Sequence, residues 1–568
     1  MKMVYMMIST ADNQMKYLII FSITWLLITF IIKFITKRRD NKKQIRLVIG
    51  IIPLLVGIIY TVLNIHIPTY EKFLMRNWGI VLALVLLFLM MVLPDEKNIK
   101  RINVSNVVNG LCVPGIIMMV GITIYQLAYE GNVSDYSHLG WAESFESMVD
   151  TMSEEYGAGD WKKIDFEGLK ETYIPMVSEA ETNNDEQAFA KVLLEYQYEF
   201  YDSHIWLEGK SDDLFAAEKE LVGNDYGMSM YQLENGDVIA ILCEEDSDVT
   251  KAGIHNGTKI IMWDGVEINE AMDDVRCIDS NYKFEVYENE ELMKPIFLAG
   301  KGNKSVDVTY INDEGEYCTV TLDSLGNYMG RKGRAIAYLY SQNRIASNNF
   351  MGKMINEELG YLRISRMHYD YTTDIMAELT GRHTVIYEEV DKQLETLKKE
   401  GMKYLIIDLR NNQGGYSSIA RAVASLFTEI RLSEKSGGIV SYYTFNEGKW
   451  KDLPIVVLVN DNTISAADTL TYLLSQCPNV QVMGITSSSN SLQYIGGVCY
   501  LSDDLFEIFY PIGPYVDEYG DLIELTADRQ PRVGFDVRIP VDYDAAMTIF
   551  NTNDTDYELE YAINYFYR

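Results

Sequence analysis

Apolar positions along this 568-residue chain change their period three times. The first 130 residues carry four long apolar runs, at 17–36, 47–65, 78–93 and 106–128. About 20 such residues in a helix cross roughly 30 Å of hydrocarbon, so the runs predict a four-helix transmembrane region over 1–130. From 141 to 222, apolar residues recur at three- and four-residue steps in "SFESMVDTMSEEY", "DFEGLKETYIPMVSEA" and "DEQAFAKVLLEYQYEFY". That is the period of amphipathic helices, and it stops at "YDSHIWLEG". From 224 to 322, short β-type runs alternate with Asn-Gly, Asp-Gly and Ala-Gly, which predicts a small β-domain with a hairpin at Asn235-Gly236. From 330 onward, nearly continuous apolar strands alternate with helices: "ELGYLRIS", a helix over 384–400, "KYLIIDLR", "GYSSIARAVASLF", "LPIVVLVN", a helix over 465–476 and "VQVMGI". This predicts a layered α/β core with buried strands. The expected domains are therefore 1–130, 131–223, 224–329 and 330–568.

Charge divides along the same line. Residues 1–130 hold a net +8 and residues 131–568 a net −41. Lys37, Arg38, Arg39, Lys42, Lys43 and Arg46 follow the first run, and Lys97, Lys100 and Arg101 follow the third; only Lys72 and Arg76 lie between the second and third. Basic loops stay cytoplasmic, so this pattern predicts an integral membrane anchor with everything after about 130 outside. The first run begins late and leads into "KFITKRRDNKKQIR", unlike a cleavable signal peptide. A segment at −41 repels nucleic acid, which argues against that class of partner.

Cofactor chemistry is not signalled. Cys112, Cys243, Cys277, Cys318, Cys477 and Cys499 form no CxxC pair and no metal spacing. Cys477 and Cys499 could pair in an oxidising compartment, with buried free thiols as the alternative. No phosphate loop or dinucleotide fingerprint occurs, so neither cofactor nor metal is expected. Two segments do point to acyl-transfer chemistry. "YLIIDLRNNQGGYSSIARAVASLF" reads as strand, glycine turn and helix, and about 50 residues later "PIVVLVNDNTISAADTL" reads as strand, polar turn and helix. Ser465, with Asp468 three positions on, forms a capping-box pattern. The same hydroxyl at the positive end of a helix dipole suits a nucleophile.

Taken together, with "GYLRIS" upstream and "VMGIT" downstream, these segments resemble the tail-specific, or C-terminal processing, serine peptidases over roughly 141–545. The resemblance implies a crotonase-like α/β core acting on a protein or peptide substrate. It implies Ser465 as nucleophile and the backbone N–H groups of Gly414, Gly415 and Ala466 as oxyanion donors. Many members take the serine proton with a lysine downstream. Here "GITSSSNSLQYIGG" puts Ser and Asn where that lysine would stand, and no lysine follows Lys451, so a dyad of that type is excluded.

The tricorn-like branch of the family uses Ser-His-Glu, with the histidine in a Ser-His pair before a strand. "YDSHIWLEG" offers Ser203 and His204 at that place. An imidazole near pKa ~6.5 can accept the serine proton and return it to the leaving amine. Lysine-type members also carry a histidine there without using it as base, and His368, after "GYLRIS", is the main rival. In "GDLIELTADRQPRVGFDVRIP", Glu524 is the expected orienter of the imidazole, with Asp528 and Asp521 as alternatives and Ser203 as a bridging hydroxyl.

Within 224–322, Gly227-Met-Ser-Met, the Asn235-Gly236 hairpin and "DVTKAGIHNGTKIIMWDG" resemble a circularly permuted bacterial PDZ domain. That resemblance implies a peptide added as a strand, with its terminal carboxylate at Gly227 and Met228; a lid or spacer is the alternative. The expectation is a membrane-anchored, extracytoplasmic serine endopeptidase. Its rival is a catalytically silent peptide-binding receptor or sensor on the same fold.

Overall fold

The computed structural model describes residues 11–36, 42–63, 80–90, 112, 115–117, 119, 132–209, 212–280, 282–341, 349–380, 382–428, 431–436, 439–444, 448–517, 521–551 and 555–567. The chain divides into two compact units, Met1–Thr151 with Gly496–Phe509, and Met152–Ile495 with Tyr510–Arg568.

In the first unit, helices Ala11–Thr36 and Lys42–Leu63 pack together, and strand Asn132–Asp135 pairs in parallel with Gly497–Tyr500. The apolar runs 17–36 and 47–65 fall in those helices, where side chains are described over 20–35 and 44–58. The runs at 78–93 and 106–128 lie partly or mostly outside the described residues. Among the described residues no helix is long and apolar enough to cross a membrane. This overturns the expected multi-pass membrane location, and the outward placement that rested on it falls with it. Arg46, expected in a solvated basic loop, is instead buried and donates to the carbonyl of Lys33 at 3.0 Å.

The second unit opens with the expected helices. Phe166–Asn183 and Glu186–Tyr198 each start on an aspartate, Asp165 and Asp185, that accepts from a backbone N–H of the first turn. A further helix, Asp213–Val222, follows. The β-domain is an antiparallel sheet of β1 (Ser229–Gln232), β2 (Val238–Ile241), β3 (Lys259–Trp263), β4 (Ser305–Ile311) and β5 (Tyr317–Asp323) in that order, with helix α1 (Tyr287–Leu298) packed on β1. Gly236, at φ +84°, closes the β1–β2 hairpin where Asn-Gly predicts it.

The α/β core is a six-stranded sheet: β6 (Phe350–Met354), β7 (Leu359–Ile364), β8 (Tyr404–Asp408), β9 (Ile455–Leu458), β10 (Val480–Gly484) and β11 (Val537–Arg538), in that order. Only the β6–β7 pairing is antiparallel. Strands β7 and β9 are buried throughout, which is why their sequences run apolar instead of alternating. Helix α2 (Ser417–Ala424) follows β8 and α3 (Ala466–Ser475) follows β9. The carboxyl ends of β8, β9 and β10 therefore lie side by side, the place where an open parallel sheet leaves a crevice. All six cysteines are free thiols, so Cys477 and Cys499 are not paired.

Candidate active site

The turns after β8 and β9 are interlocked. Asn411 N–H donates to Asn460 Oδ1 at 2.9 Å, and Asn460 Nδ2 returns a bond to Asn411 Oδ1 at 3.1 Å. Ile464 N–H donates to the Asn412 carbonyl at 3.0 Å, and Gln413 Nε2 to Asn462 Oδ1 at 3.1 Å. The two segments that are jointly informative in the sequence thus hold each other in space.

Ser465 sits at the end of that turn with φ +62° and ψ −121°, a conformation a non-glycine residue adopts only when its surroundings impose it. Its side chain makes no capping bond to α3. Asp468, the other half of the capping-box pattern, turns away. Its carboxylate accepts from Ser489 Oγ (2.7 Å) and from the N–H groups of Asn490 (3.1 Å) and Ser491 (3.2 Å). Burial pushes that carboxyl up to about 6 despite these donors. The cap reading of Ser465 is therefore wrong: its hydroxyl is left uncommitted on a strained backbone.

The glycine turn approaches closely. A Cβ on Gly414 would lie 2.7 Å from Ser465 Cβ and 2.9 Å from Ala466 N, and one on Gly415 would strike the Met367 carbonyl. Both glycines have positive φ, +84° and +136°. Gly414 N–H is already given to Asn412 Oδ1 at 2.9 Å. The expectation that Gly414 donates to an oxyanion is corrected on that ground; its part is to let the turn reach Ser465. The N–H groups of Gly415 and Ala466 make no hydrogen bond among the described residues.

His204 is buried, 3 % exposed, and its Nδ1 lies 2.7 Å from Ser491 Oγ. Ser491 Oγ in turn lies 3.1 Å from Asp202 Oδ1. Asp202 also accepts from Tyr156 Oη (2.6 Å), Gln493 Nε2 (2.8 Å) and Lys162 Nζ (3.2 Å). Burial opposes its ionisation, but Lys162, with His204, holds the carboxyl well below the usual carboxylate range. An ionised carboxylate only accepts, so Ser491 donates to Asp202 and His204 Nδ1–H donates to Ser491. In a neutral imidazole this arrangement leaves Nε2 as the lone-pair nitrogen, and Nε2 has no hydrogen-bond partner among the described residues. Ser491 is also tied through its N–H to Asp468, one helical turn beyond Ser465. The imidazole's network thus reaches the first turn of the helix that Ser465 begins, and no bond joins it to the Ser465 hydroxyl among the described residues.

Other expected residues are placed differently. Ser203 does not bridge to Glu524; its N–H and hydroxyl both go to Glu285 Oε1. Glu524 does not touch His204. Its Oε1 lies 3.5 Å from Lys162 Nζ and accepts from Leu525 N–H, while Oε2 is buried without a hydrogen-bond partner among the described residues. Burial pushes this carboxyl up to about 8, against the pull of Lys162. Asp521 and Asp528 are exposed. His368 pairs through Nδ1 with Asp374 at 2.7 Å, and the same carboxylate takes His383 Nε2 at 2.8 Å. Gly227, at φ +88°, gives its N–H to Asp225 Oδ1 at 2.8 Å, and Met228 is fully buried, so neither presents the surface a docked carboxylate needs. Sequence reading missed Asp202, Lys162 and Ser491, and took Asp468 only as part of a cap. Asp202 could have been found as an acid two residues before the histidine in "YDSH", whereas no local signal marks Ser491.

Residues 358–527 match Peptidase family S41. The carboxy-terminal processing protease CtpA of Bacillus subtilis is 31% identical over 114 residues, 19% of this chain and 24% of that protein. The carboxyl-terminal-processing protease of Picosynechococcus sp. is 28% identical over 131 residues, 22% of this chain and 28% of its own. The matched stretch thus spans about a quarter of the length of these relatives. Among solved structures, mature CPAF covers 74% of this chain and 98% of its own, at 13% identity and a TM-score of 0.47. The segment from 358 to 527, which carries β7 to β10, the glycine turn and Ser465, is thus the part of the chain that matches the S41 peptidase family and resembles these processing proteases.

Proposed function

We propose that this chain is a serine endopeptidase in which Ser465 attacks a peptide carbonyl. The observation that carries the reading is the Ser465 hydroxyl, uncapped on a strained backbone and packed against Gly414. The N–H groups of Gly415 and Ala466 are the donors for the oxyanion that forms as the carbonyl becomes tetrahedral. His204 accepts the Ser465 proton on Nε2 and passes it to the leaving amine; the acyl-enzyme ester is then hydrolysed by water activated at the same nitrogen. Ser491 and Asp202 fix the tautomer by taking Nδ1–H, the part a carboxylate plays alone in the usual triad. Contact between Ser465 and Nε2 closes when substrate fills the crevice, since catalytic hydrogen bonds are commonly loose in unliganded enzymes. Glu524 acts through Lys162, not on the imidazole.

The domain boundaries at 130, 223 and 329 go with this reading, as does a PDZ-like part for residues 224–329. Strand recruitment of a peptide tail there requires Met228 to be uncovered.

The test is labelling with a fluorophosphonate probe. The wild-type protein is expected to be labelled and to cleave a casein-type substrate, with both lost in Ser465→Ala. His204→Gln is expected to slow labelling by ~10³-fold or more, and His368→Gln by less than ~5-fold. An inert Ser465 in the folded protein sinks the peptidase reading in favour of a silent peptide-binding receptor. Equal effects of the two histidine variants sink the choice of His204.

A further inference from the structure

We propose that Asn289, in the first turn of α1, is a positioning residue for the Ser465 chemistry; this rests on the serine-peptidase reading above. Asn289 is 1% exposed. Its Nδ2 donates to Asp461 Oδ1 at 2.6 Å and to the Ser487 carbonyl at 3.0 Å. Its Oδ1 accepts from Ser487 N–H at 3.0 Å and Ser487 Oγ at 3.3 Å. Both amide protons and both lone pairs are spent, the full capacity of the side chain.

The two loops it joins are the two the chemistry needs aligned. Asp461 lies four residues before the nucleophile, in the turn after β9. Ser487 lies four residues before Ser491, the hydroxyl that takes the His204 proton. The loops also meet without Asn289, through Asp461 N–H to Thr486 Oγ1 at 3.0 Å and Ser489 N–H to the Thr463 carbonyl at 3.1 Å. Asn289 adds a side chain from α1 that grips both.

Neighbouring residues of the same segment reach the remaining arms of the site. Glu285 takes the N–H and hydroxyl of Ser203, next to the imidazole. Arg529, five residues beyond Glu524, donates to the Glu285 carbonyl at 2.9 Å and to Glu290 Oε2 at 2.5 Å. One stretch, 285–290, thus braces the histidine arm, the nucleophile arm and the acid arm. Within it, Asn289 is the residue that spans the nucleophile and base loops. Loss of alignment there costs rate more than binding, because a misplacement of about 1 Å at the reacting atoms can cost ~100-fold.

The experiment compares full-length wild type, Asn289→Ala, Asn289→Asp and the pair Asn289→Asp with Asp461→Asn. Fluorophosphonate labelling rate, kcat and KM on one peptide, and the melting temperature are the readouts. Asn289→Ala is expected to slow labelling and kcat by ~30–100-fold with KM within about twofold. Asn289→Asp keeps size and still accepts from Ser487, but sets a carboxylate against Asp461 and is expected to be as slow. Adding Asp461→Asn restores a donor across that contact and is expected to recover at least ~10-fold. If Asn289→Ala does not fold, the Asp series carries the test. Labelling of Asn289→Ala at the wild-type rate, or no recovery in the double variant, overturns the proposal alone. Wild-type protein that folds but never labels overturns the nucleophile reading, and the proposal with it.

Discussion

Ser465 begins a helix without using its hydroxyl to do so, and that separates a cap from a nucleophile. The groups that orient the imidazole are separable in the same way. Ser491→Ala removes the relay from His204 Nδ1 to Asp202 and is expected to lower kcat by ~10–100-fold. Ser203→Ala touches only Glu285 and is expected to leave kcat within about threefold. Steady-state kinetics of the two variants decide whether the hydroxyl next to the histidine in sequence, or the one next to it in space, serves the reaction. Glu524 gives a pH test. Its folded-state carboxyl, at about 8, lies above the ordinary value of 4.5, so the native protein holds a proton the unfolded chain has lost. Its contribution to stability is intact below 4.5 and is lost as pH rises through 8. Glu524→Gln, which cannot ionise, is expected to gain melting temperature relative to wild type between pH 5 and pH 8.5. A constant difference across that range contradicts the assignment. At this scale Ser465, Gly415 and His204 are legible because each sits in a local motif. The pairing of Asp202 with Ser491 is not, because they are 289 positions apart and only the fold brings them together.

The element that sets the geometry is the pair of turns after β8 and β9. Gly414→Ala drives a methyl against Ser465 Cβ at positive φ, where neither atom has room to yield. It is expected to abolish labelling of Ser465 while the sheet still forms, which far-ultraviolet circular dichroism and the labelling assay together would show. Labelling within ~10-fold of wild type contradicts the close approach. Strands and helices of the α/β core are legible because buried parallel strands are apolar throughout and their helices carry a separate period. The same apolarity misleads over 1–130. Runs of Leu, Ile and Val fix that a segment is hydrophobic, but among the described residues no helix is long and apolar enough to cross a membrane. Hairpin Arg431–Ser436 with Ile439–Thr444 is not legible in the same way, since its first strand is largely polar.

Across the second unit, the C-terminal helix Tyr557–Tyr565 is tied to the core sheet by one buried cation. Arg410, just past β8, contacts Asp408 (2.8 Å), Asp556 (2.7 Å) and Glu558 (3.0 Å). Glu558 accepts from Ile485 N–H, at the end of β10, so the cluster pins the strand ends that present the site. Removing one partner of a buried ion network costs about 3–5 kcal/mol, because the charges left behind stay desolvated. Arg410→Met is expected to lose that much in urea unfolding, and a loss under about 1 kcal/mol contradicts the role given to the cluster. Nothing in the local sequence around Arg410 reveals this, since two of its partners lie about 146 positions away.

A crystal structure of the protein inactivated by a peptidyl phosphonate tests the central claim most directly. The account requires a covalent bond from Ser465 Oγ to phosphorus. It requires the phosphonyl oxygen within ~3 Å of the N–H groups of Gly415 and Ala466, and His204 Nε2 within ~3 Å of the adduct. Phosphorus on another residue, or an adduct on Ser465 with His368 in place of His204 at that distance, would contradict it.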